Sequence, residues 1–128
     1  MKNLQLSLKG EWFKPTKAGI KTEDYREITP YFCKMLLTAY WGFELTKKQW
    51  YDEFFENTTI EETIEHIDLF CTFKPFKNNI MTLGYPKKTD LKSICTLKHE
   101  GIEIREGHQE WGARKGVKYF VIKHGELT

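Results

Sequence analysis

Gly19-Ile20-Lys21-Thr22-Glu23-Asp24-Tyr25-Arg26-Glu27-Ile28 opens on a glycine and then packs six ionisable groups into seven residues. It reads as a strand. Alternation sets Lys21, Glu23, Tyr25 and Glu27 on one face, and Thr22, Asp24, Arg26 and Ile28 on the other. Two readings fit that pattern equally: a salt-bridged, solvated edge strand and a strand lining a polar cleft. Strict alternation parts Lys21 from Arg26, so bringing them together needs a bulge, a twist or a strand end.

Working outward, 128 residues are enough for one domain with its own core. Hydrophobic residues make up 40% and aromatics 15%, a globular composition. No apolar run approaches the ~20 residues that span a bilayer. Met1-Lys2-Asn3-Leu4 runs into an alternating pattern without the apolar core of a secretory signal. Cys33, Cys71 and Cys95 are odd in number and far apart, which suits reduced thiols rather than a disulfide framework. The expectation is a cytoplasmic monomer away from membranes. Net charge is +2 but unevenly placed: residues 52 to 68 carry seven acids and no Lys or Arg, leaving 20 bases against 11 acids elsewhere. A basic body suits a polyanion, and an ordinary basic surface beside a solvated acidic segment fits as well.

Leu4, Leu6 and Leu8 alternate with polar residues, a half-buried first strand. A short helix is expected over Gly10 to Ala18, with Pro15 near its first turn and Gly19 as the C′ residue. After the polar strand, Thr29-Pro30 reads as N-cap and first helical position of a helix reaching about Tyr40, with Tyr31, Met35 and Leu36 on one face. Thr46-Lys47-Lys48-Gln49 and Thr59-Ile60-Glu61-Glu62 have capping-box form. The helices they open present Trp50, Tyr51, Phe54 and Phe55, and then Ile60, Ile64, Ile67 and Cys71. The first stripe is expected to pack this segment onto the body. Strands are expected over Asn78 to Tyr85, Leu91 to Lys98, Ile102 to Arg105 and Val117 to Lys123. Glu100-Gly101 is a tight link between the middle two, and the last strand is buried on both faces. The order is that of a small α+β domain, a β-barrel with flanking helices and an inserted helix pair.

Trp12-Phe13, Gly19-Ile20-Lys21-Thr22 with Tyr25-Arg26-Glu27, Pro30-Tyr31, Gly84-Tyr85, Gly101-Ile102-Glu103-Ile104, Glu110-Trp111-Gly112-Ala113 and Tyr119 to Lys123 with Gly125-Glu126 follow one another. This succession resembles an ASCH domain of the PUA-like superfamily, of the small phage and bacterial type. The second group resembles that family's G-x-K-x-x-E-x-R type motif. The resemblance covers about residues 4 to 37 and 78 to 126, and residues 41 to 75 look like an insertion. It implies a pseudo-barrel with a cleft beside the first helix and the GxK strand, RNA or a modified nucleotide as ligand, and no cofactor. Lys21 and Arg26 then pair with phosphate. Tyr25 or Trp111 stacks on a base, and Lys87, Lys88, Arg114 and Lys115 reach a backbone. Trp111 can equally cap the core.

An enzyme on the same cleft is the rival expectation. Some members of the resembled family act as amidohydrolases on acylated cytidine, with the GxK lysine activating a threonine three residues on. Lys21 matches that lysine, but Asp24 stands at the threonine position and is a poorer nucleophile for an amide. Thr22 sits too early. Water activation by Asp24 or Glu23 beside Lys21 fits the residues, and so does phosphodiester hydrolysis. His108-Gln109-Glu110 has the H-x-E form of zinc deaminases without their P-C-x-x-C partner, and His66, His99 and His124 lack ligand spacing, so no metal is expected. A third expectation is a protein-interaction module that binds a basic partner through residues 45 to 70.

Overall fold

A computed structural model describes residues 1–128. The protein is mixed α+β, with a curled five-stranded sheet forming half a barrel, and four helices. It divides into two compact units, residues 1–25 with 75–128, and residues 26–74.

The first unit carries the sheet. Strands β1 (Lys2–Leu8), β5 (Phe76–Leu83), β6 (Ile94–Glu106), β7 (Lys118–Leu127) and β2 (Glu23–Arg26, whose last residue opens the second unit) lie in the order β1-β5-β6-β7-β2. β1 runs parallel to β5, and β5, β6 and β7 are antiparallel neighbours. Leu4, Leu6 and Leu8 are buried on alternate positions, as the pattern of β1 requires. β7 is buried on both faces: Phe120 and Ile122 have no exposed surface, while Tyr119 and Val121 pack with Ala113, Val117 and Tyr25. The sequence suggested two strands joined at Glu100-Gly101. The structure has one 13-residue strand there. Gly101, at φ +103°, lets β6 absorb its register shifts against β7 without breaking.

Helix α1 (Gly10–Lys17) lies between β1 and β2 in the chain. Pro15 sits in its second half rather than its first turn. The helix ends directly afterwards, so few helical hydrogen bonds are lost. Ile20 N–H donates to Pro15 O at 3.0 Å and Gly19 N–H to Thr16 O at 3.1 Å. This is a Schellman stop, with Gly19 at φ +77°.

The second unit is mostly helical. Helix α2 (Pro30–Leu36) is capped by Thr29, whose hydroxyl accepts from Phe32 N–H at 3.2 Å. It ends at Leu36, short of Tyr40, because Leu37–Ala39 leaves as β3 to pair antiparallel with β4 (Cys71–Phe73). Its buried face is Cys33 and Leu36, and Tyr31 is exposed. Both capping boxes form, at α3 (Lys47–Trp50) and α4 (Ile60–Phe70). α3 runs on into a π-turn over Tyr51–Phe55, closed by Glu56 N–H to Tyr51 O at 2.9 Å. Trp50 and Phe54 are fully buried, and the rings around Phe54 are Trp50, Tyr40 and His66. In α4 the inner residues are Thr63, Ile64 and Ile67; Ile60 is exposed and Cys71 belongs to β4. Replacing Thr59 with Ala removes the cap and lowers stability by about 1 kcal/mol. A urea unfolding curve with an unchanged slope and a lower midpoint is the expected result.

Candidate functional site

The Schellman stop of α1 delivers Lys21 to the inside of the first unit, where its side chain is 2% exposed. A buried ammonium needs acceptors. Lys21 Nζ donates to Glu23 O at 2.5 Å and lies 3.6 Å from Asp24 Oδ1. Asp24 is itself 4% exposed. The Trp12 and Tyr25 rings flank the ammonium at 5.8 and 5.7 Å, within cation–π reach. The polar strand is therefore not a solvated edge ladder: Lys21, Glu23 and Asp24 are all buried.

Glu23 anchors a second network. It accepts two guanidinium N–H bonds from Arg105, and Glu103 binds the same guanidinium through Nε at 2.5 Å. Tyr25 Oη donates to Glu23 Oε1 at 2.8 Å and accepts from the backbone N–H of His108 at 2.9 Å. The His108 ring lies 3.9 Å from both Glu23 and Glu110, edge-on to Trp111. Burial alone raises a carboxyl pKa. At Glu23 the hydrogen bonds from Arg105 and Tyr25 and the charges of Arg105 and His108 outweigh it and hold the group below its usual value. Tyr25 is pushed up, by burial first. Two glycines make room for the rings. A Cβ on Gly107 meets the Tyr25 ring at 2.6 Å, and one on Gly112, at φ +97°, meets Trp12 at 2.9 Å.

A third network crosses the sheet. Asn79, fully buried on β5, donates from Nδ2 to Lys123 O at 3.1 Å. The same nitrogen is 2.8 Å from His124 Nδ1, and Asn79 Oδ1 is 2.7 Å from His99 Nδ1. His124 is 8% exposed and its Nε2 is buried without a hydrogen-bond partner. Burial pushes its pKa down to about 4. His124 and Lys21 border one cleft of about 500 Å³, together with Thr16, Gly19, Thr22 and Leu97.

Of the residues expected at the site, Lys21, Glu23, Asp24, Tyr25 and Trp111 belong to the first unit and are at least half-buried. Tyr25 is committed through its hydroxyl, and its ring faces Gly107 and, at 5.9 Å, Tyr119. Arg26 belongs to the second unit, with its guanidinium 5.7 Å over Phe32. Lys87 and Lys88 are exposed in the loop after β5, and Lys115 is exposed near the start of β7. Arg114 is exposed, and its Nε is 3.4 Å from Tyr119 Oη. The seven acids of residues 52 to 68 are all exposed in the second unit. Sequence reasoning missed Arg105, Asn79, His99 and His124. The signal for Arg105 was its period-two spacing from Glu103; the other three carry none, since β5, β6 and β7 assemble them from residues up to 45 positions apart.

Two outcomes follow from these buried groups. Lys21→Met leaves Asp24 buried without its ion partner and lowers stability by about 3–5 kcal/mol; adding Asp24→Asn restores part of that in a double-mutant cycle. The second concerns pH. Unfolded, His124 titrates near 6.5 and folded near 4, so between these values the unfolded chain binds a proton the folded chain refuses. Stability is then full above pH 6.5 and falls on acidification towards pH 4, by on the order of 3 kcal/mol. His99, also depressed by burial, adds to the fall below 6.5, and Glu23 adds to it below 4.5. Urea midpoints measured against pH check this, and His124→Phe removes the His124 part of the fall, leaving the parts of His99 and of the depressed carboxyls Glu23, Glu62 and Glu103.

No family model, no curated protein and no solved structure matches the chain.

Proposed function

We propose that the first unit binds a nucleoside-sized ligand, a modified nucleotide or one residue of an RNA, in the cleft beside the GxK segment. The observation that carries this reading is the convergence of two buried ionisable side chains, Lys21 and His124, on one cleft of about 500 Å³. Buried ionisable groups gathered at a cleft are a mark of functional sites, and a cleft of this size takes a nucleoside. The resemblance to ASCH and PUA-like domains supports it, since the GxK motif and the cleft beside it coincide. Exposed Lys87, Lys88 and Lys115 supply cations for a polynucleotide backbone.

A second reading, hydrolysis of an acyl modification on a nucleoside, is favoured by one contact. Lys21 lies 3.6 Å from Asp24, the residue standing at the resembled nucleophile position. A carboxylate beside an ammonium can activate water as a general base.

Titrating the protein with uridine, cytidine, N4-acetylcytidine and a short RNA at about 50 and 200 mM salt separates these readings. Nucleoside binding that is insensitive to salt and lost in Thr22→Tyr, which fills the cleft from an exposed position, supports the binder. An acetate product that needs Asp24 makes the protein a hydrolase. Binding that survives the cleft block overturns both.

A further inference from the structure

We propose that His124 is a fixed N–H donor that reads an uncharged carbonyl oxygen of the ligand; this rests on the reading of the cleft as a nucleoside site. Hydrogen-bond bookkeeping sets the tautomer. Lys123 O can only accept, so the Asn79 atom 3.1 Å from it is the amide nitrogen, and the amide oxygen faces His99. The second hydrogen of that nitrogen points at His124 Nδ1, 2.8 Å away, which must accept it. An imidazole that accepts at Nδ1 carries its proton on Nε2 when neutral. Burial keeps it neutral at pH 7, with the pKa pushed down to about 4. Asp24 and Glu23 work in the opposite direction, and Lys21 and His99 reinforce the depression. The result is a buried N–H without an acceptor, on a residue that borders the ligand cleft.

The acceptor is a carbonyl rather than a phosphate because the buried cation at the cleft is already paired with a carboxylate. Lys21 is held by Glu23 O and Asp24, and Lys17 donates to Lys92 O at 3.2 Å. Leu97, Ala18 and Leu127 make much of the remaining wall, and Glu126 is acidic. A phosphate dianion seated against His124 loses its water and meets only the solvated ammonium of exposed Lys17, whereas a base or acyl carbonyl loses far less. Nε2 is covered in the free protein, so pairing involves a small turn of the ring towards the cleft, pivoting on the Asn79 contact at the opposite nitrogen.

Nitrogen-15 NMR of the histidine rings at pH 7 tests the donor directly in the wild-type protein. The expected free state is the Nε2–H tautomer for His124 and the Nδ1–H tautomer for His99. Seating of uridine, cytidine or inosine shifts the His124 Nε2–H resonance, and inorganic phosphate does not. His124→Phe weakens nucleoside binding about tenfold, the scale of one hydrogen bond to a buried donor. His124→Gln, which keeps an amide donor, retains part of the affinity and serves if the Phe variant folds poorly. An Nδ1–H tautomer or an imidazolium at pH 7 overturns the inference. So does nucleoside binding that His124→Phe leaves unchanged, or phosphate competing equally. If no nucleoside binds, the functional reading itself fails and the ligand half of the inference with it, while the tautomer remains decided by its own spectrum.

Discussion

The ammonium of Lys21 is the group on which the first unit depends. An ion taken out of water loses several kcal/mol of solvation unless acceptors surround it. Here one acceptor is the carbonyl two residues on, and another is the Asp24 carboxylate. That geometry exists only because α1 stops where it does. The left-handed Gly19 turns the chain so that Lys21 enters the unit before β2 begins. The aromatic walls are coupled to the same constraint. Trp12 and Tyr25, the rings beside the ammonium, fit there because Gly112 and Gly107 present no side chain against them.

The other two polar networks meet the same demand by different means. Glu23 is paired with a guanidinium, whose planar fork satisfies both carboxylate oxygens. The His99–Asn79–His124 relay is joined by one amide and one backbone carbonyl, with His124 Nε2 left over. In both, the partners reach across an intervening strand: Glu23 on β2 and Arg105 on β6 stand either side of β7, and Asn79 on β5 and His124 on β7 stand either side of β6. The sheet is thus the scaffold of the chemistry as well as of the core. The one buried side-chain nitrogen of the sheet without a partner, His124 Nε2, belongs to a residue that borders the cleft.

The second unit follows simpler rules. Its acids stay in water, its two capping boxes start its helices, and a π-turn keeps both Trp50 and Phe54 inside. Its one conspicuous strain is local. Tyr40 and Trp41 adopt positive φ values of 46° and 64° ahead of Gly42, where the chain closes a turn from Ala39 to Phe43. Bulky residues rarely occupy that region. The turn is held from both sides by backbone bonds between Ala39 and Phe43, and it leaves Trp41 90% exposed.

Local features were legible in the residues. Thr29, Thr46 and Thr59 cap their helices because a side-chain oxygen satisfies an N–H within three residues, a contact independent of the rest of the chain. Gly19 ends α1 for a similarly local reason, and the alternation of Leu4, Leu6 and Leu8 needs only one buried face. What depended on distant partners was not legible. α2 gives way to β3 because Thr38 and its neighbours find β4, about 34 residues on. Glu100-Gly101 stays inside one strand because β7 lies alongside to carry it through. The charged stretch from Lys21 to Arg26 admitted a solvated edge strand and a strand lining a polar cleft equally, since its charges are the same in either. Only the tertiary structure decided between them, by closing the Trp12 ring over Lys21 and the Arg105 guanidinium onto Glu23 from elsewhere in the chain. Sequence determines which groups require partners; the fold determines which of them receive one, because partners across a sheet are set by strand order and register rather than by spacing along the chain.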